Sequence, residues 1–174
     1  MSNFKKETLK NIEVMNIYSY INRTEKVLDK KGNPVKDENG NDKTEFPTMN
    51  MIKRFNTKAK WAFRVNLKKI EEIAKMYEEE LKEIQSNYSD DEHSVEEVLK
   101  DDKGNPQKDN NGEDIKTRTV KPEYLEKYQS EYQELLLQEN EVSFKVVDIE
   151  DIEDANPDFA DLDMLSFMIN EGDE

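Results

Sequence analysis

The chain has 174 residues, no cysteine, a net charge of −15 and a hydrophobic content of 34%. The missing cysteines exclude disulfides, iron–sulfur ligands and thiol catalysis; no apolar run approaches the ~18 residues of a membrane span, and the N-terminus lacks a signal-peptide stretch, so a cytosolic protein is expected. Leu, Ile, Val and Phe total 39 residues, little above the roughly 20% at which disorder becomes the better expectation, so the core must be thin.

Residues 8–22 place Ile12, Val14, Met15, Ile17, Tyr18 and Ile21 on a broad apolar helical face, with Thr8 or Asn11 as cap candidates. A polar arm at 29–44 follows. Its segment 29–42 returns 72 residues later at 101–114 with ten of 14 positions identical, inside a second arm at 101–118. Asn39-Gly40 reads as a two-residue hairpin turn and Lys31-Gly32 as a type I turn closed by a left-handed glycine. Each arm is therefore expected as a tiny meander with turns eight residues apart.

Residues 57–88 carry the clearest periodicity. Phe63, Leu67, Ile70, Ala74, Tyr77, Leu81, Ile84 and Tyr88 step by alternating fours and threes, a heptad seam that Trp61, Val65, Ile73 and Met76 widen. Ser94-Val-Glu-Glu97 has the spacing of a capping box and predicts a short helix. Pro122 opens a further helix to about Asn140, Val142, Phe144 and Val146 alternate as a strand, and Asn156-Pro157 caps a last helix. Phe159, Leu162, Leu165, Met168 and Ile169 form the apolar face of that helix. The expected fold is one mainly α domain over 1–174 with small β elements: an antiparallel, coiled-coil-like hairpin of 57–88 against 122–140. Two duplicated β-hairpin arms are inserted in it, and it ends in a short C-terminal strand plus helix. A homo-oligomeric coiled coil is the alternative use of the stripe.

Charge is unevenly placed: residues 1–69 have a net of +8 and residues 70–174 a net of −23. Lys53, Arg54, Lys58, Lys60, Arg64, Lys68 and Lys69 stand together with no acid among them, and no basic residue follows Lys145. Lys58 and Lys60 fall in the first turn of the long helix, where the dipole disfavours cations. The acidic tail from Asp148 to Asp163 is expected to cover them. Lys53, Arg54, Lys58, Lys60, Arg64, Asp158, Asp161 and Asp163 are thus the candidate interaction residues, used within the chain or toward a charged partner.

No catalytic, cofactor-binding or metal-binding residues are assigned. His93, the single histidine, lies in a polar run and reads as a solvated loop residue. A calcium loop fails on spacing: counted from Asp37 or Asp109 the glycine falls at position 4, and position 12 is Thr48 or Val120.

Asn-Ile-Glu-Val at 11–14, Thr-Lys-Ala-Lys-Trp-Ala-Phe-Arg-Val-Asn-Leu-Lys-Lys-Ile-Glu at 57–71, Tyr-Gln-Glu-Leu-Leu at 132–136, Glu-Val-Ser-Phe-Lys-Val-Val at 141–147 and Asp-Met-Leu-Ser-Phe-Met-Ile at 163–169 follow one another in this order. The order resembles domain-of-unknown-function family 1617, small proteins of tailed phages and prophages of low-GC Gram-positive bacteria. The resemblance implies phage origin and a helical fold, and brings no catalytic residues. The expected function is a non-enzymatic, phage-encoded protein that binds a phage or host protein, in the cytoplasm of the infected bacterium or in the virion. No membrane and no direct nucleic-acid binding are expected, because phosphate neutralisation needs surplus cations. The alternative is an acidic inhibitor of a host nuclease or defence complex that mimics nucleic acid.

Overall fold

A computed structural model describes residues 4–170. Of the described residues 47% are helical and 23% strand, with five α-helices and three small antiparallel sheets among them. The fold is therefore mixed, and the coiled-coil-like hairpin is not what forms. In chain order the elements are β1 (Phe4–Lys10), α1 (Asn11–Ile21), β2 (Glu25–Lys26), β3 (Thr44–Glu45), α2 (Pro47–Ile52), α3 (Thr57–Asn87), β4 (Ser94–Val98), β5 (Lys116–Val120), α4 (Pro122–Leu137), β6 (Glu139–Lys145) and α5 (Phe159–Met164). Contacts divide the chain into two compact units, Met1–Lys75 with Glu139–Glu174 and Met76–Gln138.

The first unit is built on β1 and β6, antiparallel from Phe4↔Lys145 to Lys10↔Glu139. The expected helix over 8–22 is thus cut short. Lys5, Glu7 and Leu9 alternate inward while Phe4, Lys6, Thr8 and Lys10 are exposed, and pairing with a strand far along the chain overrides the local helical reading. The helix starts at Asn11, where the Lys10 N–H donates to Glu13 Oε2 at 2.7 Å, so neither Thr8 nor Asn11 is the cap. Val142 and Phe144 of β6 point into a core with Val14, Ile21, Phe55, Ala59, Ala62, Phe63, Ile70, Leu165 and Phe167. Phe144 is fully buried, a contribution of roughly 2–3 kcal/mol. The buried seam of α3 is the predicted one, but in this unit it meets a sheet and a coiled C-terminal segment instead of a second long helix.

That segment departs from the expected single helix. Two 3₁₀ turns, Ile149–Asp151 and Glu153–Ala155, precede α5, and Asn156 ends the second in the left-handed region (φ 49°). Asp158 is the true N-cap of α5, accepting the Asp161 N–H at 2.8 Å. Leu165 and Met168 are buried but Phe159 is 87% exposed, because α5 ends after six residues and the apolar face passes to a 3₁₀ turn.

In the second unit the end of α3 packs on α4 through tyrosines. Tyr77 bonds Tyr132, and burial foremost pushes the Tyr77 hydroxyl up to about 12. The Tyr88 ring meets Tyr128 edge-on at 5.2 Å, and its hydroxyl donates to Glu131 at 3.0 Å. These hydroxyl bonds break the regular knobs-into-holes pattern that a heptad seam implies. The predicted helix at Ser94 is strand β4. Its Glu96 lies opposite Arg118 of β5 and pairs with Lys116 at 3.0 Å, and cross-strand charge of this kind outweighs the capping pattern.

The duplicated arms are three-legged hairpin junctions, not meanders. In the first, Val35 N–H donates to Val27 O, Lys43 N–H to Val35 O, and Val27 N–H to Lys43 O, at 2.8, 2.8 and 2.9 Å, closing a ring. Leu99, Gln107 and Ile115 repeat the ring in the second arm at 2.8 Å throughout. One leg is the stem, β2–β3 or β4–β5, and the others are hairpin tips held by Leu28↔Pro34 and Lys36↔Asp42, or Lys100↔Pro106 and Lys108↔Asp114. At every tip an aspartate sets the turn: Asp29, Asp37, Asp101 and Asp109 each accept the N–H groups of the residues two and four further on, at 2.7–2.9 Å. The backbone oxygen of each accepts the N–H of a glycine with φ between 81° and 84°. All four tips are therefore type I turns closed by a left-handed glycine. Asn39-Gly40 is not the two-residue turn expected, since Asn39 has no positive φ.

Candidate functional site

The predicted interaction residues separate into three groups. Lys58 is covered by acid, as expected, with its ammonium 2.6 Å from Asp151 and 3.0 Å from Asp148. Those bonds, to Asp151 first, hold the Lys58 pKa above its ordinary value, and the Lys58 bond lowers that of Asp148. Burial raises Asp151, but bonds from Lys58 and Asn56 outweigh it and leave that pKa lowered. Asn56 also accepts the Ala59 N–H at 2.8 Å, so one asparagine caps α3 and docks the acidic turn.

The remaining tail aspartates go elsewhere. Asp158 caps α5, and Asp161 accepts the Tyr20 hydroxyl at 2.7 Å with the Arg23 guanidinium 3.7 Å away. Arg23 stacks 3.8 Å over the Tyr20 ring, and burial foremost raises the Tyr20 pKa. Asp163 is exposed. None of the three meets the basic stretch.

Lys53 donates to Asn50 at 2.9 Å. The side chains of Arg54, Lys60 and Arg64 are exposed and have no ion-pair or hydrogen-bond partner among the described residues, and the same holds for that of Lys68. Lys60, Arg64 and Lys68 are spaced by four on α3 and form one row.

Beside this row stands Trp61, 55% exposed. It does not widen the core stripe, and the reason was in the spacing: two residues from Phe63 is 200° round a helix, the opposite side. Lys145 lies with its ammonium 3.9 Å from the Trp61 ring centroid and 5.2 Å from that of Phe4, itself 48% exposed. Lys69 approaches Phe4 at 5.7 Å and donates to Ser143 O. Buried Asn66 fixes Lys145 by imitating a strand: its Nδ2 donates to Lys145 O and its Oδ1 accepts the Lys145 N–H, both at 2.8 Å. The result is a basic and aromatic face on a rigid support. Phe4 and Lys145 were missed because only the β1–β6 register brings them together.

In the second unit His93 lies in the turn before β4, with its side chain 28% exposed. Its Nδ1 lies 2.7 Å from Asp90 Oδ1, and its ring packs on Tyr124 at 4.6 Å and Tyr88 at 5.7 Å. The His93 backbone N–H, then its side chain, lower the Asp90 pKa. Neighbouring Ser94 donates its hydroxyl to Asp90 O and accepts from Arg118, leaving it turned away from nucleophile chemistry. A groove between the end of α3 and α4 has Ile84 and Leu135 in its floor and Glu80, Glu83, Glu131 and Glu134 around them. Among the described residues no group of three or more His, Asp or Glu side chains is placed to hold a metal, and no helix is long and apolar enough to cross a membrane.

No protein family, curated protein or solved structure matches the chain.

Proposed function

We propose that the chain is a non-enzymatic, phage-encoded protein that acts by binding another protein, in virion assembly or in the cytoplasm of the infected bacterium. The observation that carries the reading is Trp61, an exposed tryptophan on a helix whose opposite side is buried. Tryptophan and arginine on a rigid support are the residue types that dominate protein interfaces, because they bury large area at low entropy cost. Affinity capture with the tagged chain from phage-infected cells tests it. Virion or host proteins retained by the parent and lost with Trp61→Ala support the reading; an eluate without specific protein refutes it.

A second reading, an acidic inhibitor of a host nuclease or defence complex, is favoured by one observation. The second unit carries 8 Lys/Arg against 18 Asp/Glu, a net of −10, with four glutamates round one groove. Its test is nuclease inhibition that disappears when Glu80, Glu83, Glu131 and Glu134 become glutamine.

A further inference from the structure

The cations of the first unit are not equally satisfied, and the imbalance identifies the kind of partner. Lys60, Arg64 and Lys68 follow at four-residue intervals, about 6 Å apart along α3. Like charges at this spacing repel by a few tenths of a kcal/mol per pair, and Lys60 adds a cation near the positive end of the helix dipole. Among the described residues no carboxylate lies within ion-pair distance of the three, whereas Lys58 two residues earlier has two carboxylates. The chain thus contains its own example of the chemistry: an acidic turn, Asp148 to Asp151, docked on one end of the basic stretch. The next three cations stand open.

Alongside them Trp61 and Phe4 expose about half their surface, with the Lys145 ammonium between the rings. An occupant has to supply carboxylates to the row and apolar surface to the rings at once. We infer that this face takes an acidic protein segment with an apolar side chain among its carboxylates, seated along Lys60, Arg64 and Lys68 and over Trp61. This rests on the protein-binding reading and names its partner class. A nucleic acid fits less well. Duplex DNA carries one charge per about 1.7 Å and would meet Asp148, Glu150 and Asp151 at the end of the row, on a chain of net charge −15. A peptide places its charges discretely and can stop short of that turn.

Trp61 is the sole tryptophan, so its fluorescence reports directly on the face. The full chain is titrated with a synthetic 14-residue peptide of glutamate and leucine, and separately with oligothymidylate. The expected result is a saturable blue shift of Trp61 emission with the peptide. Binding should weaken about tenfold or more in the triple variant Lys60→Glu, Arg64→Glu, Lys68→Glu. Glutamates in the row repel one another as the cations do, so only the dipole at position 60 gains, and the triple variant is shown to be folded by circular dichroism before its affinity is read. Its gain of affinity for a lysine and leucine peptide is the reciprocal check. No shift with the acidic peptide, or equal affinity in the triple variant, overturns the inference. Tighter binding of oligothymidylate replaces it with a nucleic-acid face, and a shift that depends on protein concentration alone replaces it with a second copy of the chain. If affinity capture recovers a partner that the triple variant also retains, protein binding stands and this face is not where it occurs.

Discussion

Asn66→Ala tests whether a single buried side chain holds the basic and aromatic face in place. Asn66 is fully buried and makes two 2.8 Å bonds, both to the backbone of Lys145. Its removal leaves one N–H and one C=O without partners, at about 1–3 kcal/mol each. The half-buried position of Lys145 lets water recover part of this, so a loss of about 3 kcal/mol is expected. For a chain of this size that lowers the melting temperature by about 6–12 °C. Asn66→Asp is the sharper comparison: it keeps the acceptor for the Lys145 N–H but sets a carboxylate against Lys145 O, so it should lose at least as much. Thermal unfolding by circular dichroism reads the stability. Trp61 emission reads the second consequence, because Lys145 should no longer sit over the ring. An Asn66→Ala protein that melts within one or two degrees of the parent, with unchanged emission, would refute the argument.

Other outcomes follow from the arms and the charges. Gly40→Ala has open space around the new methyl but a φ of +81°, so it should cost about 1 kcal/mol locally and speed amide exchange at Val35 and Lys43 with little change in global melting. The tip aspartates Asp29, Asp101 and Asp109 have lowered pKa values, chiefly from backbone N–H bonds, and Asp42 is lowered to about 2, first by Lys26 and then by Lys36. Their contribution is therefore complete above the ordinary value of 3.8 and disappears as pH falls, through about 2 for Asp42. Amide resonances of the Asp29, Asp101 and Asp109 turns followed by NMR should stay fixed down to about pH 4 and move only below it. Asp148→Asn with Asp151→Asn should free Lys58 and strengthen binding of the acidic peptide, whereas Asp158→Asn, Asp161→Asn and Asp163→Asn should not; equal effects would contradict the pairing seen at Lys58.

What the sequence made legible was local. The helix over 57–87, its buried seam and the left-handed glycines depend on spacing within a few residues, and each was readable from period and turn chemistry. The cover over Lys58 was also foreseeable, because the acidic tail was the nearest candidate to supply it, although the particular pair, Asp148 with Asp151, was not. The misjudged parts depend on distant pairing. Phe4–Lys10 becomes a strand only because Glu139–Lys145 lies beside it, and Ser94–Val98 does so because Lys116–Val120 offers opposite charge. The closed ring of Val27, Val35 and Lys43 was half visible in the eight-residue interval between turns, but closure of the third side has no local signal. Trp61 shows a different failure. Its residue type suggested core, while its angle to Phe63 pointed outward, and the angle was right.

Hydroxyl-radical footprinting of the full chain, alone and with its captured partner, tests most directly that the protein works by binding through this face. Trp61 and Phe4 react readily when exposed, and Phe159 at 87% exposure is a built-in control outside the face. The account predicts that the partner protects Trp61 and Phe4 and leaves Phe159 unchanged. Full reactivity of Trp61 in the complex, with protection confined to the arms or to the groove at Glu80 and Glu134, would contradict it.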